Sequence, residues 1–250
     1  MSAVMLALFA TSSWAVPPLV TGDVPTAEEG VTELFVGSVS KTSPSRDEEQ
    51  QLPWMELVYG ISDRQEVTFE VPHVKSSPQS SASVSGMGDA VIGTKFLLGP
   101  TKPQGLNYGM SVEIKLDNAS WEKGLGTGAK DLDIRLRAQK DVGRNEFIWN
   151  LGYTFVGDPQ TAAGRAEARN VAYWATAFCH KVSTRATVLA ELYGSQSSEP
   201  GGDSRFAFNT GFKYKIGERQ WLHFAWGSSL RDGWTGGPKS RMYIGTKMEF

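Results

Sequence analysis

The strictest constraint on the fold is an alternation of apolar and polar residues between Leu106 and Lys140. The apolar residues of its two arms are Tyr108, Met110, Val112, Ile114 and Leu116, followed by Leu132, Ile134, Leu136 and Ala138. A period of two places these side chains on one face of a β-hairpin and the charged ones on the other. Because the same pattern recurs along the chain and leaves no segment to form a separate core, it predicts lipid outside and a polar lumen inside.

The whole chain divides into about twelve alternating segments. We expect strands at 31–41, 52–59, 65–73, 88–98, 106–117, 131–140, 146–156, 169–180, 185–194, 205–215, 220–229 and 239–250. Short and long connections alternate between them, as they do between the periplasmic and extracellular ends of outer-membrane barrels. The sequence therefore predicts an all-β protein, a single antiparallel transmembrane β-barrel in the outer membrane, with both termini periplasmic.

Composition agrees with this fold and excludes several others. No run reaches the roughly 18 to 20 apolar residues of a membrane helix. The net charge of −2, from 25 basic and 27 acidic residues, does not indicate a nucleic-acid partner. The single cysteine, Cys179, excludes an internal disulfide and shares its face with Ala175 and Ala177, which indicates an apolar wall position.

The N-terminus has the features of an export signal. An apolar run at 3–10 precedes Ser13-Trp14-Ala15, which has the small-x-small form of a cleavage site, although no Lys or Arg occurs before Lys41. An apolar N-terminal arm is the alternative. We expect residues 1–15 to be the signal, 16–30 an irregular segment and 31–250 the barrel.

The charged face of the strands defines the predicted pore lining. These residues are Glu56, Glu70, Asp89, Lys95, Glu113, Lys115, Asp133, Arg135, Arg137, Glu191, Arg205, Lys213, Lys215, Arg241 and Lys247. Acids and bases on neighbouring strands can pair across the sheet, so the lumen is either closed by such pairs or lined by them. A barrel of this size lies between filled and open examples, and the sequence leaves both possibilities.

The last strand carries a possible assembly signal. Tyr243, Gly245, Met248 and the terminal Phe250 resemble the C-terminal pattern that the outer-membrane assembly machinery recognises in its substrates. This machinery and the membrane lipid are therefore expected partners.

Several motifs together resemble one protein family. The segments 60–64 (GISDR), 85–89 (SGMGD), 124–128 (GLGTG) with Asp131, and 150–159 (NLGYTFVGDP) are similar to the outer-membrane family named after the meta-pathway of phenol degradation. They occur in the family's order and cover most of the predicted barrel. The resemblance implies a barrel of the transporter or porin-like kind.

These features favour a passive channel for small molecules, aromatic or otherwise hydrophobic ones included. A closed structural or adhesive barrel is the alternative, and an outer-membrane hydrolase is a third. For a hydrolase only His73 is placed near the outer rim, because His180 lies by a short turn and His223 points inward. The histidine spacing gives no metal site, and the glycine-rich loop at 124–128 lacks the Lys-Ser/Thr pair and helix of a phosphate loop. We expect no cofactor.

Overall fold

A computed structural model describes residues 17–43, 47–79, 82–99, 101–102, 105–231 and 238–250. The predicted export signal at 1–15 and the expected mature start at Val16 lie outside these residues.

The described chain contains fifteen β-strands. They are β1 (Thr32–Thr42), β2 (Glu48–Ser62), β3 (Gln65–Ser77), β4 (Val84–Met87), β5 (Val91–Leu98), β6 (Leu106–Lys115), β7 (Asp131–Val142), β8 (Asn145–Phe155), β9 (Gln160–Thr161), β10 (Gly164–Arg165), β11 (Val171–Lys181), β12 (Ala186–Ser195), β13 (Arg205–Gly217), β14 (Gln220–Ser229) and β15 (Ser240–Glu249). Among the described residues, no helix is long and apolar enough to cross a membrane.

Antiparallel pairing closes the sheet into a barrel. Following the hydrogen bonds round the wall gives the order β2, β1, β15, β14, β13, β12, β11, β8, β7, β6, β5, β3, and β3 pairs with β2 again. Ten residue pairs join the first strand, β1, to the last, β15. The short strand β4 adds to one end of β3, and β9 with β10 forms a separate hairpin in a loop. The predicted single barrel of twelve wall strands is therefore confirmed.

The wall is apolar outside and polar inside, as the alternation predicts. On β7, Leu136 is 54% exposed, whereas its neighbour Arg135 is 2% exposed and Asp133 is fully buried. Leu151, on the next strand, is 64% exposed. A soluble protein does not leave so many large apolar side chains exposed in a continuous belt, so this surface matches the hydrocarbon of a bilayer.

The strands extend further than their apolar pattern. β2 begins at Glu48 rather than at 52 and continues to Ser62, so the turn predicted at 60–64 is confined to 63–64. β3 continues to Ser77. Polar residues at these strand ends still pair through their backbones. Outside the lipid both faces of a strand meet water, so no alternation of apolar and polar residues is required. The strand expected at 88–98 is shorter at its start, because residues 88–90 belong to no strand and β5 begins at Val91, while the preceding short strand β4 was not predicted.

The two ends of the barrel differ. Turns at 63–64, 143–144, 182–185 and 218–219 lie at one end, here called the short-turn end, whereas the connections at 116–130 and 156–170 lie at the other. Thr32 and Phe250 exchange backbone hydrogen bonds of 3.3 and 2.9 Å, so the first and last strands meet at the short-turn end.

Candidate functional site

All fifteen residues predicted to line the lumen are buried or half-buried. The buried ones are Glu70, Lys95, Glu113, Lys115, Asp133, Arg135, Arg137, Glu191 and Arg241. The half-buried ones are Glu56, Asp89, Arg205, Lys213, Lys215 and Lys247. Their place on the inward face agrees with the alternation. Their role in lining a conducting path stays a prediction.

The lumen is crossed by residues 17–30, here called the N-terminal segment. Its Ala27 N–H donates to Glu66 on β3 at 2.6 Å, and its Thr21 N–H donates to Glu191 on β12 at 2.8 Å. β3 and β12 lie half-way round the barrel from each other. The segment was expected to be irregular, but its passage through the lumen was not predicted.

Glu191 and Asn150 hold the middle of the segment. Val20 and Thr21 donate backbone N–H groups to the Glu191 carboxylate, and the Thr21 hydroxyl donates at 2.6 Å. Asn209 on β13 donates to the same carboxylate. Asn150 accepts from the N–H of Gly22 at 2.7 Å and donates to its carbonyl at 2.8 Å. The wall thereby satisfies backbone groups that would otherwise be buried without partners.

Two bases bind the next part of the segment. Lys95 Nζ lies 3.2 Å from the Asp23 carboxylate and 2.9 Å from that of Glu66. Arg137 donates to the Asp23 carbonyl at 3.1 Å. A Cβ at Gly22 would lie 2.4 Å from Arg137 Nη1, so this position admits no side chain without displacement of the guanidinium.

The segment leaves the lumen beside Gly60. The N–H of Gly30 donates to the Gly60 carbonyl at 2.9 Å, and a Cβ at Gly60 would lie 2.0 Å from the Glu28 carbonyl oxygen. At its other end, Arg241 donates to the Pro18 carbonyl at 3.2 Å. The wall therefore contacts the segment along most of its length.

An aromatic cluster fills another part of the lumen. Trp54 and Tyr243 are fully buried and meet edge to face, with ring centroids 5.9 Å apart. Phe35 of β1 and Ala27 of the N-terminal segment pack with them. The Trp54 indole N–H donates to Glu70 at 2.6 Å. Smaller apolar clusters form around Leu19 and Ala175 on the opposite wall, so the largely polar lumen is narrowed by apolar packing on two sides.

A cavity remains beside the N-terminal segment. Its volume is about 170 Å³. Segment residues 23 and 25–27 form one side of it, and the inward faces of β1, β2, β3, β5, β6, β7 and β15 form the rest. The segment thus narrows the lumen without filling it.

Two of the predicted lining residues also anchor the 116–130 loop. Asp89 accepts from the N–H groups of Ala119 and Thr127 at 3.0 and 3.1 Å. Lys115 donates to the Thr127 hydroxyl at 2.6 Å and pairs with Asp131 at 2.9 Å. The 85–89 and 124–128 motifs therefore meet at the end of the barrel opposite the short-turn end.

Sequence reasoning missed several inward polar residues. Glu66, Gln139, Asn150 and Asn209 are buried and belong to the same inward faces. Three of them are uncharged, and the pore prediction considered only charged residues. Their position in the alternation would have identified all four.

Comparison with known proteins supports this architecture. Residues 49–240 match the family model described as "Putative MetA-pathway of phenol degradation". The chain belongs to this family. The match covers more than half of the chain and includes the four motifs that carry the resemblance, which confirms it. No curated protein matches the chain in sequence.

Solved structures share the fold at low sequence identity. An outer membrane channel from Pseudomonas putida F1 superposes with a TM-score of 0.77 at 16% identity, covering 92% of this chain and 98% of that one. The NanC porin has a TM-score of 0.58 at 11% identity, covering 87% and 98%. The KdgM porin has a TM-score of 0.55 at 10% identity, covering 86% and 99%. The family's barrel is therefore of the outer-membrane type.

Proposed function

We propose that this protein is a passive channel of the outer membrane, which passes small molecules through its lumen past the N-terminal segment. The single observation that carries the proposal is the charged, partly open lumen, which an apolar outer wall surrounds. A barrel whose only role was to hold its loops would be stable with side chains filling its interior. It would need neither the cavity nor so many buried charges.

The membrane placement rests on the apolar belt and on the alternation of short and long connections. We infer that the short-turn end is periplasmic, which places both termini there and the 116–130 and 156–170 loops outside the cell. Fractionation of native cells, with the band shift on heating in SDS that folded outer-membrane barrels show, tests the location. Recovery in the soluble fraction would contradict it.

The solutes are small. The wall offers charged and hydrogen-bonding groups, which favours water-soluble molecules, and the resemblance to the phenol-degradation family adds aromatic ones. The wall residues themselves give no reason to prefer an apolar solute.

Liposome swelling tests the channel. Folded protein in liposomes should admit small sugars and amino acids and should discriminate against larger ones, whereas protein-free liposomes should admit neither. Impermeable liposomes with heat-modifiable, folded protein would favour the alternative of a closed structural barrel, which the packed N-terminal segment also suggests.

Hydrolase activity finds no support from His73. This residue is half-buried on β3, opposite Met87 of β4, and its imidazole makes no hydrogen bond with another described residue. Within the described residues, no group of acids, histidines or cysteines is placed to hold a metal ion.

A further inference from the structure

The cavity beside the N-terminal segment, here called the acidic chamber, has more carboxylates than bases. Its carboxylates are Asp23, Glu33, Glu56, Glu66, Glu70 and Glu113, and its bases are Lys95, Arg137 and Lys247. Carboxylates that are gathered in a low-dielectric lumen repel one another unless positive charge compensates them.

Ion pairs with two lysines account for three of the six carboxylates, and a longer contact of 3.7 Å joins Arg137 to a fourth, Glu113. Lys95 contacts both Asp23 and Glu66, at 3.2 and 2.9 Å. Lys247 contacts Glu33 at 2.7 Å. These two lysines are thereby fully engaged, and only Arg137 remains for the other three acids.

Two of the remaining acids face each other directly. Glu56 on β2 and Glu70 on β3 are partners in the strand register. Like charges in such a position destabilise a sheet. Glu70 accepts the indole N–H of Trp54, whereas Glu56 makes no hydrogen bond or ion pair with another described residue.

The third acid, Glu113, extends toward the part of the chamber near Glu56 and Glu70. A Cβ at Gly93 on β5 would lie 2.5 Å from Glu113 Cγ and 2.7 Å from the Thr68 hydroxyl, so the Glu113 side chain reaches from β6 across β5 toward β3. Its Oε1 lies 3.7 Å from Arg137. Its Oε2 is buried and accepts no hydrogen bond from the described part of the chain. The residue is only 7% exposed.

We propose that the acidic chamber is a binding site for a small organic cation that bears an ammonium or guanidinium group, and that it makes the channel cation-selective. Such a group brings several N–H donors. Within the described wall, Glu56 has no hydrogen-bond donor, Glu113 Oε2 accepts from none, and Glu70 accepts only from the Trp54 indole. A bare metal ion fits less well, since no three His, Cys, Asp or Glu side chains of the described residues are arranged to hold one. The selectivity rests on the proposed channel function.

Ion selectivity in planar bilayers tests the proposal in the full chain. Under a KCl gradient the permeability ratio of K⁺ to Cl⁻ should exceed one, and the double variant Glu56→Gln/Glu113→Gln should lower it at least about threefold. Glu218→Gln, in an exposed turn, is the matched control and should leave the ratio unchanged. A parent ratio at or below one, or the same ratio in the double variant, would overturn the selectivity.

Binding is measured separately from conduction. Millimolar ethylammonium chloride should raise the melting temperature of the folded barrel in detergent above that in equimolar NaCl, and the double variant should lose this difference. If the double variant does not fold, Glu56→Gln alone replaces it in both assays, since this side chain is half-buried and has no described partner. An absent shift in the parent protein would refute the site, even where no conduction is seen. Failure of conduction alone would instead refute the channel function.

Discussion

At the scale of single residues, Gly22 shows how closely the wall fits the N-terminal segment. Its backbone exchanges two hydrogen bonds with Asn150, and its missing side chain leaves room for the Arg137 guanidinium. A side chain at this position must displace the Arg137 guanidinium, which also donates to the Asp23 carbonyl of the segment.

We therefore expect Gly22→Val to loosen the N-terminal segment and to increase the single-channel conductance. Glu29→Gln is the control, because Glu29 belongs to the same segment but is exposed and does not line the cavity. Its conductance should equal that of the parent. A folded Gly22→Val protein with unchanged conductance would show that the segment does not limit the passage.

The orientation of the wall gives a second residue-scale prediction. Val112→Arg, on the lipid face of β6, should lower the free energy of unfolding in lipid by about 2–4 kcal/mol near the bilayer midplane. Thr68→Arg should cost less, since Thr68 borders the acidic chamber. Urea titrations of the two variants would measure the difference. The reverse order would mean that the two faces are assigned the wrong way round.

Other inward residues show that the sequence predicts the face of a strand on which a side chain lies but not its hydrogen-bond partners. The inward position of Ser111 follows from the alternation, but the hydrogen bond of 3.0 Å that it receives from Arg137 does not. Likewise, Glu191 was expected to face inward, yet its partners in the N-terminal segment lie 170 and 171 positions away. A period of two determines the face of a strand and carries no information about such distant partners.

At the scale of elements, β1, β2 and β15 are joined by inward aromatic packing as well as by their ladders. Phe35, Trp54 and Tyr243 come from these three strands and pack where the first and last strands close the barrel. This cluster contributes apolar burial inside the lumen, in addition to the smaller apolar clusters around Leu19 and Ala175.

Trp54→Ala should therefore destabilise the barrel by about 3–5 kcal/mol, since it opens a cavity and removes the N–H donor of Glu70. Trp226→Ala is a matched control, because this indole lies on the outer face with 43% of its surface exposed. Its loss should be smaller in urea titrations of folded protein in detergent. Equal losses would argue that the cluster adds no stability.

Elements with a clear period were predicted best. The strands of the central hairpin, β6 and β7, begin and end within two residues of their expected limits. The ends of β2 and β3 were missed because polar strand ends outside the lipid have no alternation. The N-terminal segment was missed for the same reason, since its proline-rich, irregular sequence has no period that could reveal a position inside the barrel.

At the scale of the whole molecule, a closed barrel contains a segment of its own chain. The N-terminal segment precedes β1 and belongs to no wall strand, so the barrel can keep its pairing without it. Many polar contacts hold the segment in the lumen. Fixing its backbone there costs about 1–2 kcal/mol of conformational entropy per residue, which offsets part of their stabilisation. Such a segment can restrict a passage while remaining displaceable.

The most direct test of this account is the single-channel conductance of the full chain and of a variant in which residues 17–28 are replaced by a glycine–serine linker of equal length. With both proteins folded and heat-modifiable, we expect a measurable conductance for the full chain and a larger one for the variant. Equal conductances, or none in either protein, would contradict this account.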